Sequence, residues 1–203
     1  TIIVGCFFYF ANRFKDSKFF IAKAFGLGIL ICFPAGYLNT YVLQTFTNNN
    51  PINNALLIGF FAGGLVEELL KFFALLFYLP TQKKLKKFDI VIFALFISLG
   101  FAVYENFGYV FNPSGASFEI AFLRAFTAVP MHIFNGIIMG YFFEFYSKTG
   151  DNKFLGYTVI LPIILHGSYN FFVSENLLIA KGIILLQVFL AYRLKTMYDK
   201  NIR

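Results

Sequence analysis

Apolar residues in this chain come in long blocks separated by short polar connectors. The blocks cover residues 1–12, 24–46, 55–79, 90–111, 121–146, 154–173 and 177–194. A helix rising ~1.5 Å per residue needs ~20 apolar residues to cross a hydrocarbon core of ~30 Å. Every block but the first is long enough, so the pattern predicts an all-α, polytopic transmembrane helical bundle of about seven spans. The first block, which ends at Asn12 and Arg13, is expected to be a short or half span, or the inner part of a longer one. It lacks the small-residue cleavage site of a signal peptide and is expected to remain as structure. The connectors are residues 13–18, 47–54 (TNNNPINN), 80–89 (PTQKKLKKFD), 112–118 (NPSGASF), 147–153 and 174–176. They leave no room for a soluble domain, so residues 1–203 read as a single integral membrane domain without internal repeats.

Composition agrees with the pattern. Hydrophobic residues make up 59% of the chain and charged residues 13%, against roughly 45–50% and about 25% in soluble domains. That excludes a disordered chain and argues against a soluble one. The net charge is +7, and its distribution says more than its size. Fourteen of the 17 Lys and Arg fall in alternate connectors: Arg13, Lys15, Lys18 and Lys23; Lys83, Lys84, Lys86 and Lys87; Lys148 and Lys153; Arg193, Lys195, Lys200 and Arg203. Cytoplasmic loops carry the Lys/Arg excess. The chain is therefore expected in the cell membrane with its N-terminus outside and its C-terminus cytoplasmic. Dispersed cations without a nucleic-acid motif fit the lipid bilayer as partner and no nucleic acid. Cys6 and Cys32 sit in apolar runs without metal-ligand spacing and read as small lipid- or core-facing residues.

The informative residues are those a lipid-facing helix should lack: Glu67, Glu68, Lys71, Glu105, Asn106, Arg124, His132, Asn135, His166, Asn170 and Lys181. A charge at the bilayer centre costs ~2.5–3.5 kcal/mol on insertion scales, so each is a functional candidate. Glu67 and Lys71 are four apart in the favoured orientation for a helical ion pair. Glu68 is turned about 100° from Glu67, so one helix is expected not to aim both carboxylates at one spot, one doing chemistry while the other orients a partner. Glu105 shares a face with Tyr109, and Asn106 adds a second polar group. Pro130 is expected to kink its helix just before His132. Arg124 could cap a loop or pair with an acid, and Lys181 can snorkel. His166 and Asn170, four apart, offer one titratable group and one amide donor to the same point. Such a pair suits attack by an activated water with a donor at the developing oxyanion. With the predicted topology, Glu67, Glu68, Glu105, His132 and His166 all lie between the midplane and the outer half. For each, the structural alternative is an interhelical ion pair or hydrogen bond.

Taken in order, EELLK (67–71), GFAVYEN with Tyr109 (100–109), Arg124, PMH (130–132) and LHGSYNF (165–171) resemble the PrsW family of intramembrane proteases. That family is related in fold to the CAAX prenyl endopeptidases and to a scaffold subunit of gamma-secretase. The resemblance covers about residues 55–173, which would form the catalytic core. It implies an intramembrane endopeptidase that cleaves a membrane-anchored protein substrate, in bacteria typically an anti-sigma factor. It also implies site residues Glu67, Glu68, Glu105, Asn106, His132, His166 and Asn170. Two mechanisms are compatible. In one, Glu67 or Glu68 activates a water with help from His132, His166 and Asn170 stabilise the oxyanion, and no cofactor is needed. In the other, His132, His166 and a carboxylate (Glu67, Glu68 or Glu105, with Glu68 first in line) bind zinc, and a second carboxylate is the base. The metal-free version is preferred because His166 with Asn170 resembles the CAAX-protease arrangement. The competing functions are a non-catalytic membrane scaffold of the same fold and a proton or ion transporter.

Overall fold

The computed structural model describes residues 18–79, 88–111 and 118–201. The first predicted block, Cys6 and the lysine-rich segment 80–87 lie outside the described residues. The described residues are helical and contain no strand. Helix α1 is Lys18–Phe46. A TNNNP turn follows, in which Asn48 and Asn54 exchange hydrogen bonds of 3.0 and 2.7 Å. Asn50 caps α2 (Pro51–Leu56) by accepting from the backbone N–H groups of Ile52 and Asn53. Asn at the N-cap with Pro at the first helical position is a strong start signal, because one satisfies orphan donors and the other has none.

Helix α2 runs without interruption into a π-helical segment, Leu57–Glu67, and on into α3, Glu68–Tyr78. The junction residues Leu57 and Glu68 stay in the right-handed helical region. The rest is α4 (Asp89–Phe111), α5 (Phe118–Phe126), α6 (Ala128–Thr149), α7 (Asn152–Glu175) and α8 (Leu177–Asn201). Gly150, at φ +69°, gives α6 a left-handed C-terminal stop, and Asp151 caps α7 by accepting from the Lys153 N–H.

Five helical stretches are long and apolar enough to cross a membrane: Phe19–Phe46, Asp89–Phe111, Phe118–Thr149, Asn152–Val173 and Leu177–Lys200. The rod from Pro51 to Tyr78 is of comparable length but carries three charges, Glu67, Glu68 and Lys71, at its centre. These six match the second to seventh predicted blocks, and the chain is a multi-pass membrane protein.

The predicted kink sits elsewhere than expected. The block 121–146 breaks at Thr127 (φ −125°, ψ −69°), three residues before Pro130. A proline removes its own donor and crowds the carbonyl four residues back, here that of Phe126. The helix yields at that point and restarts with Pro130 in its first turn. The Thr127 hydroxyl then donates to the Leu123 carbonyl at 3.0 Å.

Helix α4 is the central element, with 67% of its apolar window buried against 22% for α1 and α8. Small residues let its neighbours approach. Gly28 of α1 faces the Ile97 carbonyl and Gly100 of α4 faces the Phe25 carbonyl, so neither position has room for a Cβ. On the other side Gly136 and Gly140 of α6 lie against Ala94, Ser98 and Val91 of α4. Close backbone approach at glycine is how helices pack tightly in lipid, where hydrophobic exclusion of water gives no help. The outward faces carry large apolar side chains such as Tyr37, Phe77, Phe111 and Leu178.

Candidate active site

The polar residues of α3, α4, α6 and α7 meet inside the bundle. Glu67 closes the π-helical segment and Glu68 opens α3. Contrary to the expected divergence of the two acids, they bracket one imidazole from its two nitrogens. Glu68 Oε1 lies 2.8 Å from His166 Nδ1, and Glu67 Oε2 lies 3.9 Å from His166 Nε2. π-Helical turns inside α-helices are frequent at functional sites.

The ion pair also differs from the sequence expectation. Lys71 Nζ bonds Glu68 Oε1 at 2.7 Å, one turn away, rather than Glu67. Both residues are 0% exposed. The same ammonium lies 2.8 Å from His132 Nδ1 and 4.4 Å from the centre of the Phe101 ring. An ammonium can only donate, so His132 Nδ1 accepts and His132 Nε2 carries the proton. That N–H donates to Glu105 Oε2 at 3.0 Å. Glu105 Oε1 in turn pairs with Arg124 at 2.8 Å, and the guanidinium stacks on Tyr109 at 3.8 Å. By the same logic Glu68 accepts from His166 Nδ1–H, which leaves the Nε2 lone pair of His166 facing Glu67. The two imidazoles stand perpendicular, 4.8 Å apart.

The cluster holds three carboxylates and two permanent cations. Glu68 has Lys71 and Glu105 has Arg124. Among the described residues, no Lys or Arg lies within ion-pairing distance of Glu67, whose nearest basic group is the His166 ring at 3.9 Å. Its Oε1 accepts a 3.1 Å hydrogen bond from Asn39 of α1, and its Oε2 is buried without a partner.

Other expected residues sit apart. Asn106 ties α4 to α5 by donating to the Ala121 carbonyl at 3.1 Å. Asn170 packs its amide over Gly63, one turn before Glu67, and makes no hydrogen bond among the described residues. Asn135 donates to the Pro162 carbonyl at 3.0 Å and accepts from Gln187 at 2.7 Å, which fastens α8 to α6 and α7. Lys181 is exposed. Asn39 also reaches the site, although its only signal in the sequence is an amide inside an apolar run. Glu144, which the sequence did not single out either, accepts from Tyr198 at 2.8 Å near the other end of α6.

Glu67, His132 and His166 bring ligand atoms within 4.8 Å of one another, a set that could hold a metal ion. It differs from the expected trio in its carboxylate, Glu67 in place of Glu68. Ligand atoms around tetrahedral zinc lie ~3.3–3.5 Å apart, given bonds of ~2.0–2.2 Å. The set therefore fits an ion after a modest contraction. His166 Nε2 and Glu67 Oε2 face each other ready for it, and Glu68 orients His166 as carboxylates do behind metal-ligating histidines. His132 would have to release Lys71 or Glu105 first.

The family model described as PrsW family intramembrane metalloprotease matches residues 17–194. Protease PrsW of Oceanobacillus iheyensis is 32% identical over 97% of this chain and 91% of its own length. Protease PrsW of Bacillus subtilis is 30% identical over 83% of this chain and 76% of its own. That of Clostridioides difficile is 32% identical over 90% and 76%. No solved structure shows a significant match. Both the matched length and the buried Glu–His–Lys–Arg constellation lead to one conclusion: the chain is a protease by class and belongs to the PrsW family of intramembrane metalloproteases.

Proposed function

We propose that this chain cleaves a membrane-anchored protein substrate of the anti-sigma-factor kind, on the extracytoplasmic side of the bilayer, and that Glu67 is the general base. The observation that carries this is the Glu67 carboxylate itself. It is 5% exposed, alone among the three site carboxylates in lacking a cation, with one oxygen unpartnered 3.9 Å from a histidine lone pair. A water placed between Glu67 Oε2 and His166 Nε2 donates both protons and presents its own lone pair to a scissile carbonyl. Glu67 takes the proton as the C–O bond forms and returns it to the leaving amine as the C–N bond breaks. Asn170, half-buried one turn beyond His166 with its amide unengaged, is the candidate donor to the developing oxyanion. Glu68, Lys71, His132, Glu105 and Arg124 form a balanced chain of charge that fixes both imidazoles and their tautomers.

A second reading is favoured by the donor set Glu67, His132 and His166 and by the family's description. In it these three residues hold a zinc ion, which when bound would acidify a water and polarise the scissile carbonyl. Metal analysis of the purified chain separates the two. About one equivalent of zinc, lost in His166→Ala, supports the second.

The functional test is cleavage of a reporter tethered by one transmembrane segment, with the chain reconstituted in liposomes. The wild type cleaves it and Glu67→Ala/Glu68→Ala does not. Equal cleavage by both removes the assignment of the base. Absence of cleavage by either favours a non-catalytic scaffold.

A further inference from the structure

We propose that Asn39 is a positioning residue of the active site and that α1 is therefore part of the catalytic unit. The inference rests on the reading of Glu67 as the reactive carboxylate. Glu67 has two oxygens with different surroundings. Asn39 Nδ2 donates to Oε1 at 3.1 Å, and Oε2 is left bare toward His166. No cation pairs with Glu67, so the amide is the strongest polar contact that fixes the carboxylate plane. A carboxylate free to rotate about its last torsion would not keep Oε2 aimed at the His166 lone pair.

The supporting geometry is independent of that bond. Asn39 sits on a helix whose neighbouring side chains Tyr37, Leu38 and Tyr41 are exposed, as lipid-facing residues are. Asn39 alone turns inward there. Its own Oδ1 is buried without a partner among the described residues, an arrangement that costs stability. An isolated amide in an apolar helix, carrying an unpaired atom and aimed at the one uncompensated acid, is poorly explained by packing. Helix α1 is pinned for this purpose farther along. Its close crossing with α4 at Gly28 and Gly100 and the Cys32 contact to the Phe101 carbonyl fix it against the helix that carries Glu105.

The test uses the full chain in liposomes and the single-span tethered reporter, with Asn39→Leu, which keeps the shape and removes the donor, and Asn39→Gln, which keeps the donor. The infrared carboxyl band that disappears in Glu67→Gln is recorded in each. The expected result is a shift of that band in Asn39→Leu, with kcat lowered about tenfold or more and KM unchanged, as loss of a hydrogen bond to a charged group implies. Asn39→Gln recovers part of both. The proposal is overturned if the Glu67 band stays in place in Asn39→Leu. It is equally overturned if kcat, KM and the unfolding midpoint decline together and Asn39→Gln gives no rescue, since that pattern marks packing. Should the wild type leave the reporter intact, the function proposed above is what fails, and the infrared band still decides whether Asn39 holds Glu67.

Discussion

Lys71 is the residue on which the site's electrostatics turn. It is wholly buried and serves Glu68, His132 and the Phe101 face at once. Removing one partner of a buried pair leaves the other charge uncompensated, typically at a cost of ~3–5 kcal/mol. Lys71→Met should therefore lower stability by about that amount in denaturant unfolding in detergent, and should abolish cleavage. The double variant Glu68→Gln/Lys71→Met should regain much of the stability and none of the activity. A Lys71→Met protein as stable as the wild type would show that the pair contributes nothing. The identities of the acids and histidines were legible in the sequence, because each is an expensive residue in an apolar run. Their pairing was not. A regular helix lets Lys71 reach either Glu67, four residues back, or Glu68, three back, and in the fold the lysine goes to Glu68. Asn39 stood out less: unlike Asn106, Asn135 and Asn170, it has no acid or histidine within one turn of its own helix.

At the scale of elements, the π-helical segment and its contact with α7 set the Glu67–His166 distance. A Cβ added at Gly64 would lie 2.9 Å from the Ile163 carbonyl and 3.3 Å from Gly167 Cα, both backbone atoms that cannot step aside. Gly64→Ala should push the rods apart, lose about 1–3 kcal/mol of stability and reduce cleavage. Gly182→Ala, where a Cβ meets nothing within 4 Å, should leave both unchanged. Equal behaviour of the two variants would contradict the tight rod contact. The order of the apolar spans past residue 18 followed from apolar block length alone. The break at Thr127 did not, because Pro130 announces a disturbance but acts on the carbonyl four residues upstream. The π-helical turn had no sequence signature beyond Gly59, Gly63 and Gly64.

For the whole molecule, the alternation of basic and uncharged connectors predicts an orientation with the Asn-rich turn 47–50 outside and the α6–α7 turn inside. In a background free of native cysteines, Asn49→Cys should react with a membrane-impermeant maleimide on intact cells. Asn152→Cys should react only after the membrane is opened. The reverse pattern would invert the topology and move the site to the cytoplasmic half. The resemblance read from sequence began near residue 55, whereas the family match begins at residue 17 and α1 reaches the site through Asn39.

If Glu67 carries the chemistry, Glu67→Gln must remove it. The amide keeps the size of the side chain and an oxygen for Asn39 while removing the proton acceptor. Reporter cleavage in liposomes should fall on the order of 10²–10⁴-fold, the usual contribution of a positioned base, with no drop in the unfolding midpoint. Cleavage by Glu67→Gln at close to the wild-type rate would contradict the account.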